Sequence, residues 1–388
     1  MVTVRGYRGL CGRIGAILGG LALVAAAGAG QALAGDRGGP RPGEVSCRAE
    51  TVSVALAAGQ AASYRVWGLL CATRRELATG ATVQFLVPGA TYDHVYWEFG
   101  TVDGRRYDYA RAVAAAGFPT FDIDEIGTGQ SSHPLSTELT FSATAYVNHQ
   151  VIQALLHGGV AGARFGRVIE VGHSYGSYLV WEEAGTYHDV AGVIITGLTH
   201  YPIADPTSLL GSAFYPAIDD PKFAGSGLDP GYFTTVPGYR PKLFYSAGDS
   251  DPAVIAADEA SKDVVSVTGL SGGLAATMSG ISGEITVPVL IIMGGDDAIA
   301  CGPITPTQNI DCASPTAIET AEKPLYQDAP SVHACSVPGS GHSIALALNH
   351  GVVDRDVITW SRAFIGPRGH AAGGRHARHA RRLPRDCD

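Results

Sequence analysis

A serine hydroxyl becomes an effective nucleophile when a base takes its proton and a carboxylate orients that base. Three short stretches of this 388-residue chain offer those parts in the order Ser, Asp, His: Gly172-His173-Ser174-Tyr175-Gly176, Gly294-Gly295-Asp296-Asp297 and Pro338-Gly339-Ser340-Gly341-His342. The first has the G-x-S-x-G spacing of a sharp strand-to-helix turn, in which small flanking residues let the chain close around a strained serine. The chemistry such a set performs is acyl transfer. Ser174 is the nucleophile, His342 the general base, and Asp297 the carboxylate that fixes the imidazole, with Asp296 a close rival.

Chain layout discriminates among decoys. A second G-x-S-x-G occurs at Gly269-Leu270-Ser271-Gly272-Gly273, after a strand-like Val264–Val267, but Ser271 stands only 26 residues before Asp297. That interval holds no further strand–helix unit, whereas Ser174 leaves 123 residues. The stretch Leu243–Asp251 also reads as a strand followed by acids, which makes Asp251 a third candidate carboxylate. His173 is expected to pack beneath the nucleophile, and His94 either to touch substrate or to serve structure. A developing oxyanion needs two N–H donors. The residue after the nucleophile, Tyr175, supplies one, and Ala90 in the loop Pro88-Gly89-Ala90 supplies the other.

The elements that must position these residues alternate between strand and helix. Short apolar runs at Val83–Val87, Pro119–Ile123, Val168–Val171, Val190–Ile195 and Pro288–Met293 read as buried strands, and Ser331–Val337 as the last. Helical stretches fall at Tyr107–Ala116, Ser142–Leu156 and Tyr178–Ala184, and a final one runs through Trp360. Two further strands, around Glu50–Ala57 and Ser63–Leu70, precede them. Such alternation predicts an α/β fold: a mostly parallel sheet with helices on both faces and its site at the carboxyl ends of the strands. Residues about 201–285 break the alternation and are rich in Pro, Gly and aromatics, and so read as an inserted cap.

The two ends read differently from the body. Arg5, Arg8 and Arg13 precede an apolar run from Ile14, and Ala32-Leu33-Ala34 supplies a small-residue cleavage pattern, so residues 1–34 read as a secretory signal peptide. The strongly apolar part is shorter than the ~20 residues of a spanning helix, which argues against a stable membrane anchor. Residues 367–388 form a basic tail of six arginines interleaved with histidines, expected to be disordered, and residues 35–366 form the domain. A net charge of −9, more negative still once both basic ends are set aside, disfavours a nucleic-acid partner. Beyond Cys11 in the leader there remain six cysteines, an even number that suits disulfides in an exported chain. Cys47 with Cys71 and Cys301 with Cys312 are the two expected pairs. No cysteine pair has the C-x-x-C spacing of a zinc site, and no metal site is expected.

With these residues assembled, the chain resembles the α/β-hydrolase superfamily over nearly all of residues 80–365. The resemblance rests on the Pro88-Gly89 loop, Asp122-Ile123-Asp124 with Gly127, Gly129 and Ser131, the Gly172–Gly176 turn, the Gly294–Asp297 turn, and Gly341-His342. Pro88 stands where many relatives carry a His. The resemblance implies a Ser174–Asp297–His342 triad, a cap between the sixth and seventh core strands, and hydrolysis with no cofactor. The expected substrate is a small molecule, an apolar carboxylic ester, because the cap is aromatic-rich. Amide, peptide, lactone or carbon–carbon cleavage on the same triad remains open, as does a non-catalytic binding role, since fold and triad do not fix the bond.

Overall fold

The computed structural model describes residues 43–201, 211–301, 303–305, 308–367 and 387. The expected leader and most of the basic tail lie outside them. The core is one eight-stranded sheet. Its strands are β1 (Ser46–Val54), β2 (Tyr64–Ala72), β3 (Thr82–Val87), β4 (Thr120–Ile123), β5 (Arg167–His173), β6 (Gly192–Thr196), β7 (Val289–Gly294) and β8 (Val332–Val337). Their spatial order is β1-β2-β4-β3-β5-β6-β7-β8. Strand β2 runs antiparallel to both neighbours, and the remaining pairs are parallel.

The central strands are continuously apolar because both faces of the sheet are covered. Alternate residues of one strand enter two different cores. Phe85 and Val87 of β3 pack with one set of residues, and Leu86 with the other. The helices α1 (Tyr109–Ala115), α2 (Phe141–His157) and α3 (Tyr175–Tyr187) follow β3, β4 and β5 in the chain. Val147, Val151 and Leu155 of α2, with Leu179 and Val180 of α3, fill the first core. Ala110 and Val113 of α1 join the second core together with Val353, Val357 and Trp360 of the C-terminal helix Gly351–Phe364. Thr140 caps α2 by accepting the Ala143 N–H, and Gly158 ends it in the left-handed conformation.

Between β6 and β7 the chain leaves the sheet. It forms a separate three-stranded antiparallel sheet from Phe214–Pro216, Tyr232–Thr235 and Val265–Ser266. The helices α4 (Pro252–Ser261) and α5 (Val267–Ala276) accompany it. One strand-like reading fails here, and the second G-x-S-x-G, set aside above, takes another role. The strand expected at Leu243–Asp251 is instead the helical turn Arg240–Phe244, with Pro241 in its first turn, followed by loop; Asp251 then caps α4, accepting the Ala253 N–H. The second G-x-S-x-G lies within α5, where the Ser271 hydroxyl donates back to the Val267 carbonyl. Its glycines have a packing use. A Cβ at Gly269 would stand 2.5 Å from the Tyr175 hydroxyl and one at Gly273 3.2 Å from the Tyr175 ring, so this glycine face lets α5 settle on Tyr175.

Three disulfides are present: Cys47–Cys71, Cys301–Cys312 and Cys335–Cys387. The first two match the expected pairs, and the third ties β8 to the end of the chain. No helix among the described residues is long and apolar enough to cross a membrane. Cys47 and Cys71 are cross-strand partners in the β1–β2 hairpin, so their bond closes a 24-residue separation at the sheet edge. Replacing both by Ala is expected to lower unfolding free energy by about 3 kcal/mol, through the loop entropy restored to the unfolded chain. Urea denaturation checks this; an unchanged midpoint would mean that the hairpin holds without the crosslink.

Candidate active site

The strand order reverses at β3: the chain crosses from β3 to β4 on one side and returns to β5 on the other. Crevices at such reversals, at the carboxyl ends of the strands, are where α/β sheets hold ligands. Val87 and Gly172 are register partners across β3 and β5, so the loop after β3 runs directly beside Ser174.

Ser174 sits between β5 and α3 with φ 53° and ψ −115°, a conformation a residue bearing a Cβ adopts at a cost. The flanking residues explain how the turn closes. A Cβ on Gly172 would lie 2.5 Å from the Ser177 Cα, and one on Gly176 2.5 Å from the Val87 and Pro88 carbonyl oxygens. Although Ser174 occupies the N-cap position of α3, its hydroxyl makes no capping hydrogen bond. The strained backbone thus points a serine away from the usual local partner. Its N–H is anchored by the Thr196 carbonyl of β6 at 2.8 Å.

Two neighbouring strand ends bring the other expected residues together. The turn after β7 presents Asp297, whose Oδ1 accepts the N–H groups of Ile299 and Ala300 at 2.8 and 3.0 Å. Its Oδ2 stands 2.8 Å from His342 Nδ1. The loop after β8 carries His342, and its Nε2 is buried without a hydrogen-bond partner. Asp296 differs from Asp297: its Oδ2 takes the Ser246 hydroxyl at 3.2 Å, so Asp297 is the carboxylate on His342. The Phe244 ring stacks on His342 at 5.6 Å between centroids.

His173 packs under this group. Its ring stacks on Tyr96 at 4.1 Å and lies 4.9 Å from that of His342. Burial, then the charges of His342 and Arg240, hold its pKa well below the ordinary value, so it stays neutral. His94 is tied to Asp124, with Nδ1 at 2.5 Å from Oδ1, and packs on Trp67 at 4.5 Å between ring centroids, which is a structural placement. The N–H groups of Ala90 and Tyr175 make no hydrogen bond among the described residues. Both residues line a cavity of about 20 Å³ together with Ile126, Leu139, Val265 and Glu125.

Sequence patterns did not point to Arg240 or Asp258. Arg240, fully buried, donates Nε and Nη2 to the two Asp258 oxygens at 2.8 and 2.7 Å. It also reaches Thr91 Oγ1 and lies over the Tyr92 ring at 4.3 Å. Tyr92 and Tyr245 donate to the same Asp258 oxygen at 3.3 and 2.8 Å, and Tyr92 meets the Ser343 hydroxyl at 2.7 Å. The network therefore joins the loop after β3, the segment between β6 and β7, and the loop that carries His342. A lone arginine among aromatics carries no spacing rule by which a sequence search would find it.

A larger cavity of about 470 Å³ opens between Gly129–Leu135 and Phe223–Val264, with Tyr232 and Asp263 on its walls.

The chain belongs to the α/β-hydrolase family. The family described as "Alpha/beta hydrolase family" matches residues 84–355. Among solved structures, a thermophilic esterase from Thermogutta terrifontis is 17% identical with a TM-score of 0.50, the match covering 81% of this chain and 98% of that one. A carboxylesterase from Bacillus subtilis is 15% identical with a TM-score of 0.51, covering 81% and 91%. At these identities the likeness is one of fold. No curated protein matches the sequence.

Two acids near the site carry a pH signature. Burial, then the neighbouring Asp93 carboxylate, pushes Asp263 up to about 7. Burial pushes Glu125 up to about 7 as well, against hydrogen bonds from Asn148 and the Ile126 N–H. Both keep a proton in the folded state at pH values where the unfolded chain has lost it. Their contribution to stability is therefore present at acid pH and falls as pH rises from about 4 to about 7. The double variant Asp263→Asn, Glu125→Gln is expected to flatten this decline in urea midpoints measured across that range. Parallel profiles for wild type and variant would contradict the assignment.

Proposed function

We propose that this protein is an exported serine hydrolase of carboxylic esters, with Ser174, His342 and Asp297 as its triad. The reading is carried by the 2.8 Å contact of His342 Nδ1 with Asp297 Oδ2, which leaves Nε2 without a partner, and it is supported by the uncapped, strained turn at Ser174. In this mechanism Ser174 Oγ attacks the acyl carbonyl while His342 Nε2 accepts its proton and returns it to the departing alcohol. Water then attacks the acyl-enzyme by the same route. Asp297 keeps His342 in the Nδ1–H tautomer and stabilises the imidazolium. The Ala90 and Tyr175 N–H groups stabilise the oxyanion, a contribution of about 10²- to 10³-fold per donor.

Export is supported by the three disulfides, which persist in oxidising compartments. The segment between β6 and β7 acts as a cap that shields the acyl-enzyme from competing reactions. An uncharged ester suits the site: His173 is neutral and Arg240 is already paired by Asp258. The cavity beside Ala90 and Tyr175, walled by Leu139 and Val265, has room for about one water, which favours a short acyl group over a long one.

The test compares wild type with Ser174→Ala on p-nitrophenyl esters and a fluorophosphonate probe. The variant should lose labelling, and kcat should fall by about four orders of magnitude or more while the fold is retained. Acetate and butyrate esters should outpace octanoate, and Leu139→Ala should move the optimum to longer chains. Equal turnover by wild type and variant would overturn the triad. Absence of labelling in both folded proteins would favour a binding role, and activity on short polar amides alone would overturn the ester assignment.

A further inference from the structure

Below the nucleophile turn, β5 and the helices on one face of the sheet enclose a second group of chemistry-bearing side chains. Glu170 lies on β5, four residues before Ser174, with its neighbours Phe85 and Val193 on the adjoining strands. It is fully buried, and neither carboxylate oxygen has a hydrogen-bond partner. Glu183 on α3 is also fully buried, and its two oxygens are likewise without a hydrogen bond. The edge of the group is formed by His149 of α2 and by Asp189, just beyond α3. His149 Nδ1 stands 2.9 Å from Asp189 Oδ2 and 3.4 Å from Glu183 Oε1. One ligand atom from each of these three residues lies within 4.8 Å of the others.

Two facing carboxylates in a sheet core are costly unless a positive charge compensates them. A single imidazole at the rim is little compensation for three acids. The surrounding residues are placed as metal-ligand supports are. Tyr187 stacks on the His149 ring at 4.0 Å and fixes its plane, while Gln153 donates to Asp189 Oδ2 at 2.5 Å. The His149 and Asp189 side chains are 22% and 13% exposed, which gives an ion a way in. The acidic group of Asp93, His94 and Asp124 differs on this point, because His94 and the Gln130 N–H already satisfy Asp124.

We propose that His149, Glu183 and Asp189, backed by Glu170, form a structural binding site for a divalent cation of the zinc type. Mixed imidazole and carboxylate donors select such ions over calcium, which takes an all-oxygen shell. Tetrahedral ligation at about 2.0–2.2 Å needs donors roughly 3.4 Å apart, a small adjustment from the present spacing. The ion joins α2 to α3 and neutralises the acids under the strand that delivers Ser174. Sequence spacing hid the site, since its ligands come from positions 149, 183 and 189, with the backing Glu170 on a fourth segment.

The test strips the full-length protein with chelator, then measures zinc by equilibrium dialysis and thermal unfolding with ZnCl₂ or CaCl₂. Zinc at a hundredfold excess over its dissociation constant should raise Tm by about 5 °C, with one ion retained per chain, and calcium should not. His149→Ala should lose that ion and the shift. Glu170→Gln with Glu183→Gln should unfold without zinc at no lower a temperature than wild type, because two facing acids are gone, and should no longer respond to zinc. Zinc binding undiminished in His149→Ala, as histidines in the basic tail would produce, overturns the proposal. So do an equal response to calcium and an absent zinc response in the stripped wild type. Should the double variant fail to fold, His149→Ala at the partly exposed rim decides.

Discussion

The left-handed turn at Ser174 is the constraint around which the rest of this structure is arranged. A residue with a Cβ at φ 53° is held there only when its surroundings over-determine it. Here they do so on three sides. The Thr196 carbonyl of β6 takes the Ser174 N–H, Gly172 lets the start of α3 lie against β5, and Gly176 lets α3 pass over the ends of β3. Two of these supports need a parallel strand beside β5, so the turn depends on the sheet flanking β5 with β3 and β6. The same flanking puts the Ala90 loop on one side of Ser174, and β7 and β8, whose ends carry Asp297 and His342, beyond β6 on the other.

A second constraint holds the segment between β6 and β7 onto this frame. The Arg240–Asp258 pair is fully buried, which is expensive for two charges unless every donor and acceptor is met. Asp258 receives two guanidinium bonds and two tyrosine hydroxyls, and Arg240 adds Thr91 and an aromatic face. Removing one partner would leave the other charged and dry, a cost of about 3–5 kcal/mol. Such a pair specifies geometry more than it stabilises. Through Thr91, Tyr92 and Ser343 it sets the loop that donates to the proposed oxyanion relative to the loop that carries His342.

Much of this was legible in the sequence because parallel strands buried on both faces leave unbroken apolar runs. The runs at Val83–Val87 and Pro288–Met293 fix β3 and β7 to within a residue or two, and the Gly-rich turns after the strands fix where the polar residues go. The helix boundaries were less clear. Tyr178–Ala184 undershoots α3 because the helix begins directly at the strained serine, with no capping side chain to mark it. Leu243–Asp251 misled because an apolar triplet followed by acids fits a strand end equally well. Pro241 and the burial of Arg240 against Asp258 made it a helical turn instead. The second G-x-S-x-G shows how one pattern can answer a different steric need: its glycines admit an aromatic ring between helices, and its serine bonds its own helix.

Buried carboxylates across the molecule show why the group below β5 stands apart. Asp297 is met by two N–H groups and an imidazole, Asp124 by the His94 ring and two N–H groups, and Asp258 by a guanidinium and two hydroxyls. Each is a solved problem in electrostatics, with donors supplied by the fold itself. Asp122 has no donor, but it stands on β4 with no imidazole at its oxygens, and burial, then the charges of Asp124 and Glu98, pushes its pKa well above the ordinary carboxylate range. Glu170 and Glu183 combine the same lack of donors with each other's proximity and with an imidazole and a third acid at an open rim. The fold's own donors meet Asp297, Asp124 and Asp258 but leave this set short of positive charge, and a divalent ion is the smallest addition that corrects it.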